Sequence, residues 1–597
     1  MSQSLESPHR CAAPPSALGD FTADRRVLLL LLMASAVGSA GAFSAWLLLK
    51  LIALVTNLVW FGQVSTVLGS LAGLHPGWRM IVIPAVGGLI VGLMARYGSD
   101  KIRGHGIPEA IEAILIGGSR LSPKVAVLKP LSSAIAIGTG GPFGAEGPII
   151  MTGGAFGSLF AQFFHLSAME RKTLLVAGAA AGMTGIFGTP VAAVLLSVEL
   201  LLFEWKPRSL LPVIVAVLAA ASWRPFLLGA GPLFPFAHDP MLPWWALFLF
   251  LGAGVAAGLQ SSLLTTMLYK TEDLFERLPV HWMWWPAIGG IIVGLGGLIE
   301  PGAMGVGYDM IAALLSGHMP ATEVERLLLV KAVIWIVALA SGTSGGVLAP
   351  LFILGGALGA LEGLFLPGGA GFWALLGMSA TMGGAMRAPL TGALFAVELT
   401  GDLHALPALL AANGAAYAVT VLILKRSILT EKIARRGVHI ACEYGTDPFE
   451  RMRVSEIMVG AVDTLPASMP IDEAIAFFTT SAARHKTYPM IDAEGRLIGT
   501  LHRAAILRLK DAGSEKAAQL RDLLSDHSPT MGRPEELVGS LADRMAMNDV
   551  GCAPIVDATG RLVGIVSRKD ILRVRVEARA LEQERSVFLG RRRVNAA

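Results

Sequence analysis

The chain has 597 residues and a formal net charge of +4, with 54% of its residues hydrophobic and 15% charged. An ordinary soluble protein carries about a quarter charged residues, so this composition excludes a wholly soluble chain. The small net charge gives no reason to expect a nucleic-acid partner. The three cysteines, Cys11, Cys442 and Cys552, are odd in number and too scattered for a metal site, and they read as reduced and structural.

Residues 1–25 are polar and lack the three-part pattern of a cleaved signal, so they read as an N-terminal tail. The apolar run Val27–Trp60 then exceeds the ~20 residues that cross ~30 Å of hydrocarbon. Further runs at Ile81–Met94, Trp244–Ala257, Trp285–Ile299 and Leu327–Ala340 are shorter, and Gly and Pro bound or break them. They place a membrane block over residues 26–437. Arg25 and Arg26 precede it, and Lys425, Arg426, Lys432, Arg435 and Arg436 close it. By the positive-inside rule both termini, and the tail that follows, are expected in the cytoplasm.

Within the block, Glu146-Gly-Pro-Ile-Ile-Met-Thr-Gly-Gly-Ala-Phe-Gly-Ser-Leu159 matches Leu348-Ala-Pro-Leu-Phe-Ile-Leu-Gly-Gly-Ala-Leu-Gly-Ala-Leu361, 202 residues on (348 − 146). Residues 189–200 match 388–399 at an offset of 199 (388 − 189). Two anchors at nearly one offset indicate two related halves, a common transporter plan with the substrate site between them. Hydropathy alone leaves the relative orientation of the halves open.

Three Gly-rich loops each run into a helix with proline near its start: Gly104-His105-Gly106-Ile107-Pro108, Gly144-Ala145-Glu146-Gly147-Pro148 and Gly346-Val347-Leu348-Ala349-Pro350. Proline suits the first turn of a helix because its missing N–H would be unpaired there. A helix starting within the membrane offers free N–H groups and the positive end of its dipole to an anion. Such breaks are tolerated at that depth only where they line a cavity or are buried in protein. Three together predict a site for a small anion held without a full positive charge, and therefore able to leave again. Glu146, at one of these helix starts, is an intramembrane carboxylate and a candidate gate; a capping role is the alternative. Leu348 takes its place in the other half.

These motifs resemble the CLC family of chloride channels and proton–chloride antiporters over nearly the whole chain. The resemblance implies an all-α polytopic membrane domain of two inverted repeats with broken helices, assembled as a homodimer with one pathway in each subunit and without enzymatic activity. It implies that the three motifs bind the anion, with chloride the expected ion, and that Glu146 is the gate. Three departures stand out. His105 occupies the place of the family's usual serine, Leu348 that of a phenylalanine, and Ile428 or Leu429 that of the pore tyrosine. The second, proton-carrying glutamate of the antiporters aligns with Leu200, leaving Glu199 or Glu204 as candidates for another proton route. Glu398 repeats Glu199, which suggests a structural role for both. The resulting expectation is channel-like or weakly proton-coupled transport, with strict proton–chloride antiport as the alternative.

After residue 438 the charge density rises. Pro489–Gly499 matches Pro554–Gly564 at an offset of 65 (554 − 489), and each copy reads strand, Asp/Gly turn, strand, helix. This resembles a tandem pair of CBS domains, expected at residues 438–512 and 513–575 as an α+β pair, with a C-terminal tail over 576–597. The resemblance implies an adenine nucleotide site at the pair, with Ser567 and Asp570 on the ribose; a purely dimerising module is the alternative. The first copy has His502 and Ala505 instead. No cofactor is required for transport. The run Arg591-Arg592-Arg593 reads as a solvated or lipid-facing charge run. A reading of another class, a membrane-anchored CBS nucleotide sensor, leaves three broken helices and a buried acid without a purpose.

Overall fold

Apolar runs punctuated by glycine and proline become helices of very unequal length, because each Gly-Pro break ends one helix and starts the next. The structure is a computed structural model that describes residues 25–115, 117–236, 243, 245–437, 449, 452–479, 485–512, 519–523 and 530–583. Cys11, Cys442, Arg591–Arg593 and nearly all of the expected N-terminal tail lie outside them. The chain divides into two compact units between residues 443 and 444.

The first unit is helical and carries its repeat openly. Eight helices recur in the same order: α1 (Arg26–Thr56) with α9 (Ala246–Glu276), α2 (Arg79–Tyr97) with α10 (Trp285–Ile299), and α3 (Ile107–Leu115) with α11 (Tyr308–Ser316). Next come α4 (Pro123–Gly138) with α12 (Ala321–Ala340), α5 (Glu146–Gln162) with α13 (Leu348–Glu362), and α6 (Ala168–Phe187) with α14 (Ala370–Met386). The series ends with α7 (Pro190–Leu196) and α15 (Pro389–Thr400), then α8 (Pro207–Leu227) and α16 (Leu406–Ile423), before a short closing helix, α17 (Thr430–Arg435).

Among the described residues, six helices are long and apolar enough to cross a membrane: α1, α2, α8, α9, α10 and α16. The run Leu327–Ala340 lies in α12, which falls outside the six; Glu323, Glu325, Arg326 and Lys331 interrupt its apolar character. Helices α8 and α16 were not singled out by apolar runs, since prolines such as Pro212 and Pro225 break the pattern without ending α8.

Glycine sets the packing. In α5 and α6 a Cβ on Gly153 would overlap the carbonyl oxygen of Gly178, and one on Gly178 that of Gly153; Gly355 and Gly377 reproduce this between α13 and α14. Small residues let helix backbones approach closely where lipid gives no hydrophobic drive between helices. The inverted halves meet in reciprocal contacts. Repeat mates Gly144 and Gly346 pair as an antiparallel bridge, with the Gly346 N–H donating to the Gly144 carbonyl at 2.8 Å. Helix α2 packs on α10, and α7 on α15.

The second unit holds two similar α+β modules. In the first, β1 (Leu465–Pro466), β2 (Thr487–Ile491) and β3 (Leu497–His502) form a sheet in the order β1-β2-β3, with Thr487 opposite His502. In the second, β4 (Cys552–Val556) pairs antiparallel with β5 (Leu562–Ser567), and Cys552 faces Ser567. Each module has its own apolar core, around Phe478 and Tyr488 in one and Leu541 and Ile555 in the other. Arg496 and Arg561, equivalent across the 65-residue offset, bridge the modules as an antiparallel pair.

Candidate functional site

The three Gly-rich motifs are far apart in sequence and come together in space. The Gly104 N–H donates to the Gly342 carbonyl at 3.4 Å, which ties the first motif to the loop before the third. The Gly144–Gly346 bridge ties the second to the third. First and second touch through Gly106 and Gly147, where a Cβ on Gly106 would stand 3.0 Å from the Gly147 carbonyl oxygen. Gly104 and Gly106 have φ of 76° and 85°, left-handed values that glycine adopts at little cost. Helices α3, α5 and α13 therefore start at one place. Ile107, Ala145, Gly147, Pro148, Val347, Leu348, Ala349 and Pro350 are all buried there. So is Pro108, in the first turn of α3.

Glu146 opens α5 and is 0% exposed. Its carboxylate lies over Gly144 and Gly346, and a Cβ on Gly346 would also stand 2.6 Å from the Gly144 carbonyl oxygen. The amides of Glu146 itself and of Ala349 face it, yet among the described residues neither carboxylate oxygen has a partner in hydrogen-bond geometry. A buried carboxylate without hydrogen bonds is unfavourable in its charged form. It gains by taking a proton, or by moving to where donors converge. His105 is buried beside this centre, and its Nδ1 also lacks a partner among the described residues.

Two lysines that sequence reasoning passed over hold the loops in place. Lys129 of α4 is fully buried, and its Nζ donates to the carbonyls of Ile102 at 2.8 Å and Gly104 at 2.7 Å. Lys331 of α12, also fully buried, donates to the Gly305 carbonyl at 3.2 Å. They are repeat mates at the same offset of 202 (331 − 129). Each supports a Gly-x-Gly loop that leads into a short helix, α3 in one half and α11 in the other. The signal was present: an intramembrane lysine repeated at the offset already found.

Ile428 and Leu429 are fully buried just before α17. The Ile428 N–H donates to the Ala385 carbonyl at 3.2 Å, and its own carbonyl accepts from the Tyr269 hydroxyl at 2.5 Å. Helix α17 docks on α3 through Lys432 and Glu109 at 2.9 Å; Arg436 pairs with Glu109 at 3.4 Å and with Glu112. Glu109 directly follows Pro108, so these ion pairs fasten α17 to the start of α3.

Glu199 and Glu398 are reciprocal caps between the halves. Glu199 accepts from the N–H groups of Leu390 (3.3 Å) and Thr391 (2.9 Å), and from the Thr391 hydroxyl at 2.6 Å, at the start of α15. Glu398 accepts from Val191 (2.9 Å) and Ala192 (2.8 Å) at the start of α7. Glu204 accepts from the Ser209 hydroxyl at 2.7 Å and lies 3.9 Å from Lys172. Nothing brings Glu199 or Glu204 into contact with Glu146 among the described residues.

In the second unit a cleft of about 620 Å³ lies between the two modules, lined among others by His485, Lys486, His502, Cys552, Ser567 and Asp570. The Ser567 hydroxyl donates to Asp570 at 2.6 Å, and Asp570 also accepts the Ser567 N–H at 2.9 Å. The two side chains are thus already engaged in starting the helix Arg568–Gln583. Cys552 is a free thiol, and burial pushes it above the usual thiol range.

Comparison with known proteins agrees with this division. Residues 87–421 match the family described as voltage gated chloride channel, and residues 454–511 and 521–577 each match the CBS domain. A putative chloride channel protein ClcB-like of Ralstonia nicotianae is 29% identical over 352 residues, 57% of this chain and 82% of that protein. An H(+)/Cl(-) exchange transporter ClcA of Salmonella arizonae is 28% identical over 447 residues, 71% of this chain and 93% of that protein. Among solved structures, a slow cyanobacterial Cl-/H+ antiporter has the same fold, with a TM-score of 0.61 at 20% identity over 70% of this chain and 99% of that one.

Proposed function

The chain belongs to the CLC family of voltage gated chloride channels, whose model spans more than half of it, and from that membership we propose that it passes chloride or a similar small anion across a lipid bilayer, with Glu146 as the gate. The observation that carries this reading is the meeting of the α3, α5 and α13 starts around a buried carboxylate without hydrogen bonds. Helix N-termini supply partial positive charge, up to ~2 kcal/mol per helix when partly buried. That attracts an anion without trapping it. The ionised Glu146 side chain competes for the same donors, so its protonation, or displacement by chloride, opens the way.

The working unit is a homodimer with one pathway per subunit. Its termini lie in the cytoplasm, and its CBS pair regulates transport through an adenine nucleotide in the inter-module cleft. The test uses the full chain in vesicles. Chloride efflux should depend on pH in the wild type and lose that dependence in Glu146→Gln; a pH dependence that survives the substitution sinks the gating role. Strict proton–chloride exchange is the second reading, favoured by the likeness to exchange transporters. An imposed pH gradient that drives robust uphill chloride uptake would establish it in place of weak coupling.

A further inference from the structure

The two Gly-x-Gly loops lie at opposite ends of the membrane unit, because α2 crosses it between them. The Gly104–Gly106 loop follows α2, on the end where α17 docks. The segment before α2 rests on the other loop: the Ser70 hydroxyl donates to Asp309, and a Cβ on Gly305 would stand 3.1 Å from Leu71. That second loop is stitched to the Glu146 centre from its own side. The Gly305 N–H donates to the Gly140 carbonyl at 3.0 Å, in the loop that runs into the second motif. A Cβ on Gly307 would stand 2.6 Å from Ile353, in the helix that follows the third. Helix α11 therefore starts against the centre from the end opposite α17, and its first residue is Tyr308.

Tyr308 stands between two surroundings. Its ring meets Phe187 edge-on at 6.4 Å between ring centres, and Phe234 at 5.9 Å. Phe187 is itself braced by Phe395 at 5.1 Å, which holds the phenol in one orientation. On one side Tyr308 lines a cavity of about 170 Å³ with Ser70, Leu71, Met304, Gly305 and Asp309, enough to hold water. On the other, the Glu146 charge bears on its hydroxyl. That hydroxyl is buried and, among the described residues, has no hydrogen-bond partner. A buried donor without an acceptor is unfavourable, and so is the buried carboxylate of Glu146 without a donor. The two deficits are complementary, and both persist while the carboxylate lies over Gly144 and Gly346.

We propose that Tyr308 is the positioning residue of the displaced gate: when the ionised Glu146 side chain leaves the anion pathway, its carboxylate turns to the phenol and accepts a hydrogen bond from it. This rests on the gating role proposed above and adds the place to which the side chain goes. Of the charged groups around the pair, Lys331 of α12 bears on Glu146, and Asp309 bears on Lys331. Across the centre, Lys129, Lys432, Arg436 and Glu109 bear on His105. None of them reaches Glu146 with a hydrogen bond among the described residues. A protonated Glu146 competes weakly for the helix starts and leaves without help. An ionised one is drawn back to them, and the phenol offsets that pull, because hydrogen bonds to charged groups are the stronger kind. Tyr308 therefore matters most at alkaline pH, where Glu146 is ionised.

The test is chloride efflux from vesicles holding the full-length protein, measured from acid to alkaline pH in the wild type, Tyr308→Phe and Glu146→Gln. Tyr308→Phe removes one oxygen and keeps the ring contacts with Phe187 and Phe234. The ratio of alkaline to acid flux should fall about tenfold in Tyr308→Phe. A purely structural loss lowers flux alike at every pH and leaves that ratio where it was. A wild-type ratio in Tyr308→Phe, with or without a uniform loss of flux, overturns the proposal. Glu146→Gln separates this failure from failure of the gate. If its efflux keeps the wild-type pH dependence, the gating role falls and the Tyr308 role with it. If it loses that dependence while Tyr308→Phe keeps the wild-type ratio, the gate stands and Tyr308 alone is excluded.

Discussion

The paired lysines offer a comparison with its own internal control. Lys129→Met removes a buried ammonium of nearly the same length as its replacement, and with it two short charge-assisted hydrogen bonds, at 2.8 and 2.7 Å. Bonds of that kind contribute ~1.5–3 kcal/mol each, so the Ile102–Gly104 turn loses roughly 3–6 kcal/mol of anchoring. Lys331→Met removes one longer bond, at 3.2 Å, and on the same scale no more than about 1.5–3 kcal/mol. Both variants also remove a buried charge, whose desolvation offsets several kcal/mol, so global stability moves little in either. The difference falls on the loops. If a quarter to a half of the Lys129 anchoring bears on the amides of His105, Gly106 and Ile107, that is about 0.75–3 kcal/mol, or roughly threefold to a hundredfold in anion affinity. Chloride efflux from vesicles at matched protein should fall at least about threefold in Lys129→Met and distinctly less in Lys331→Met. Wild-type flux in Lys129→Met, or an equal or larger loss in Lys331→Met, refutes the idea that the ammonium sets the loop.

Three further expectations concern other parts of the molecule. Glu199→Gln and Glu398→Gln should each lower stability by about 0.5–2 kcal/mol in thermal unfolding, as lost helix caps do. Glu199→Gln should show the larger effect, because it also loses the Thr391 hydroxyl; a stable Glu199→Gln contradicts the capping role. Gly153→Ala and Gly355→Ala should each destabilise by about 1–3 kcal/mol or more, because the new Cβ meets a neighbouring backbone that cannot give way. In the tail, adenosine triphosphate should raise the melting temperature of the wild type. Asp570→Ala, which frees Ser567 and removes the proposed ribose partner, should abolish that shift; a shift that persists removes Asp570 from the proposed nucleotide site.

Much of this was legible because broken helices and repeats write themselves into sequence. Three Gly-rich motifs, each with a proline close behind, mark three helix starts, and the 202-residue offset pairs α5 with α13. What periodicity could not give was contact between distant segments. The loop over Gly305–Gly307 carries left-handed glycines, with φ of 62° and 76°, at the position that repeats Gly104–Gly106. Its residues differ enough that only the backbone reveals the match. Tyr308 and Tyr269 drew no attention because their meaning depends on Glu146 and Ile428, far away in the chain. The prolines of α8 concealed a helix by interrupting an apolar pattern while leaving the backbone continuous.

The question of proton coupling turns on where a second acid could stand. A strict exchanger needs a proton path to Glu146 that does not share the anion's route, and the position expected to start one is Leu200. Its neighbour Glu199 accepts three hydrogen bonds at the α15 start. Protonating it would mean giving up a cap that the molecule uses twice, once in each half. Glu204 is tied to Ser209 and Lys172, and Glu109 is buried in ion pairs that hold α17. Each acid is already committed to structure, so using it as a relay would loosen an interface at every turnover. Under the proposed weak coupling, Glu146 would exchange its proton along the anion's own route, and the number of anions per proton would then vary with conditions. A measured chloride-to-proton ratio that stays fixed across pH and chloride gradients would refute this argument. In that case Glu199 becomes the first residue to substitute, with the ratio, not the flux, as the quantity to follow.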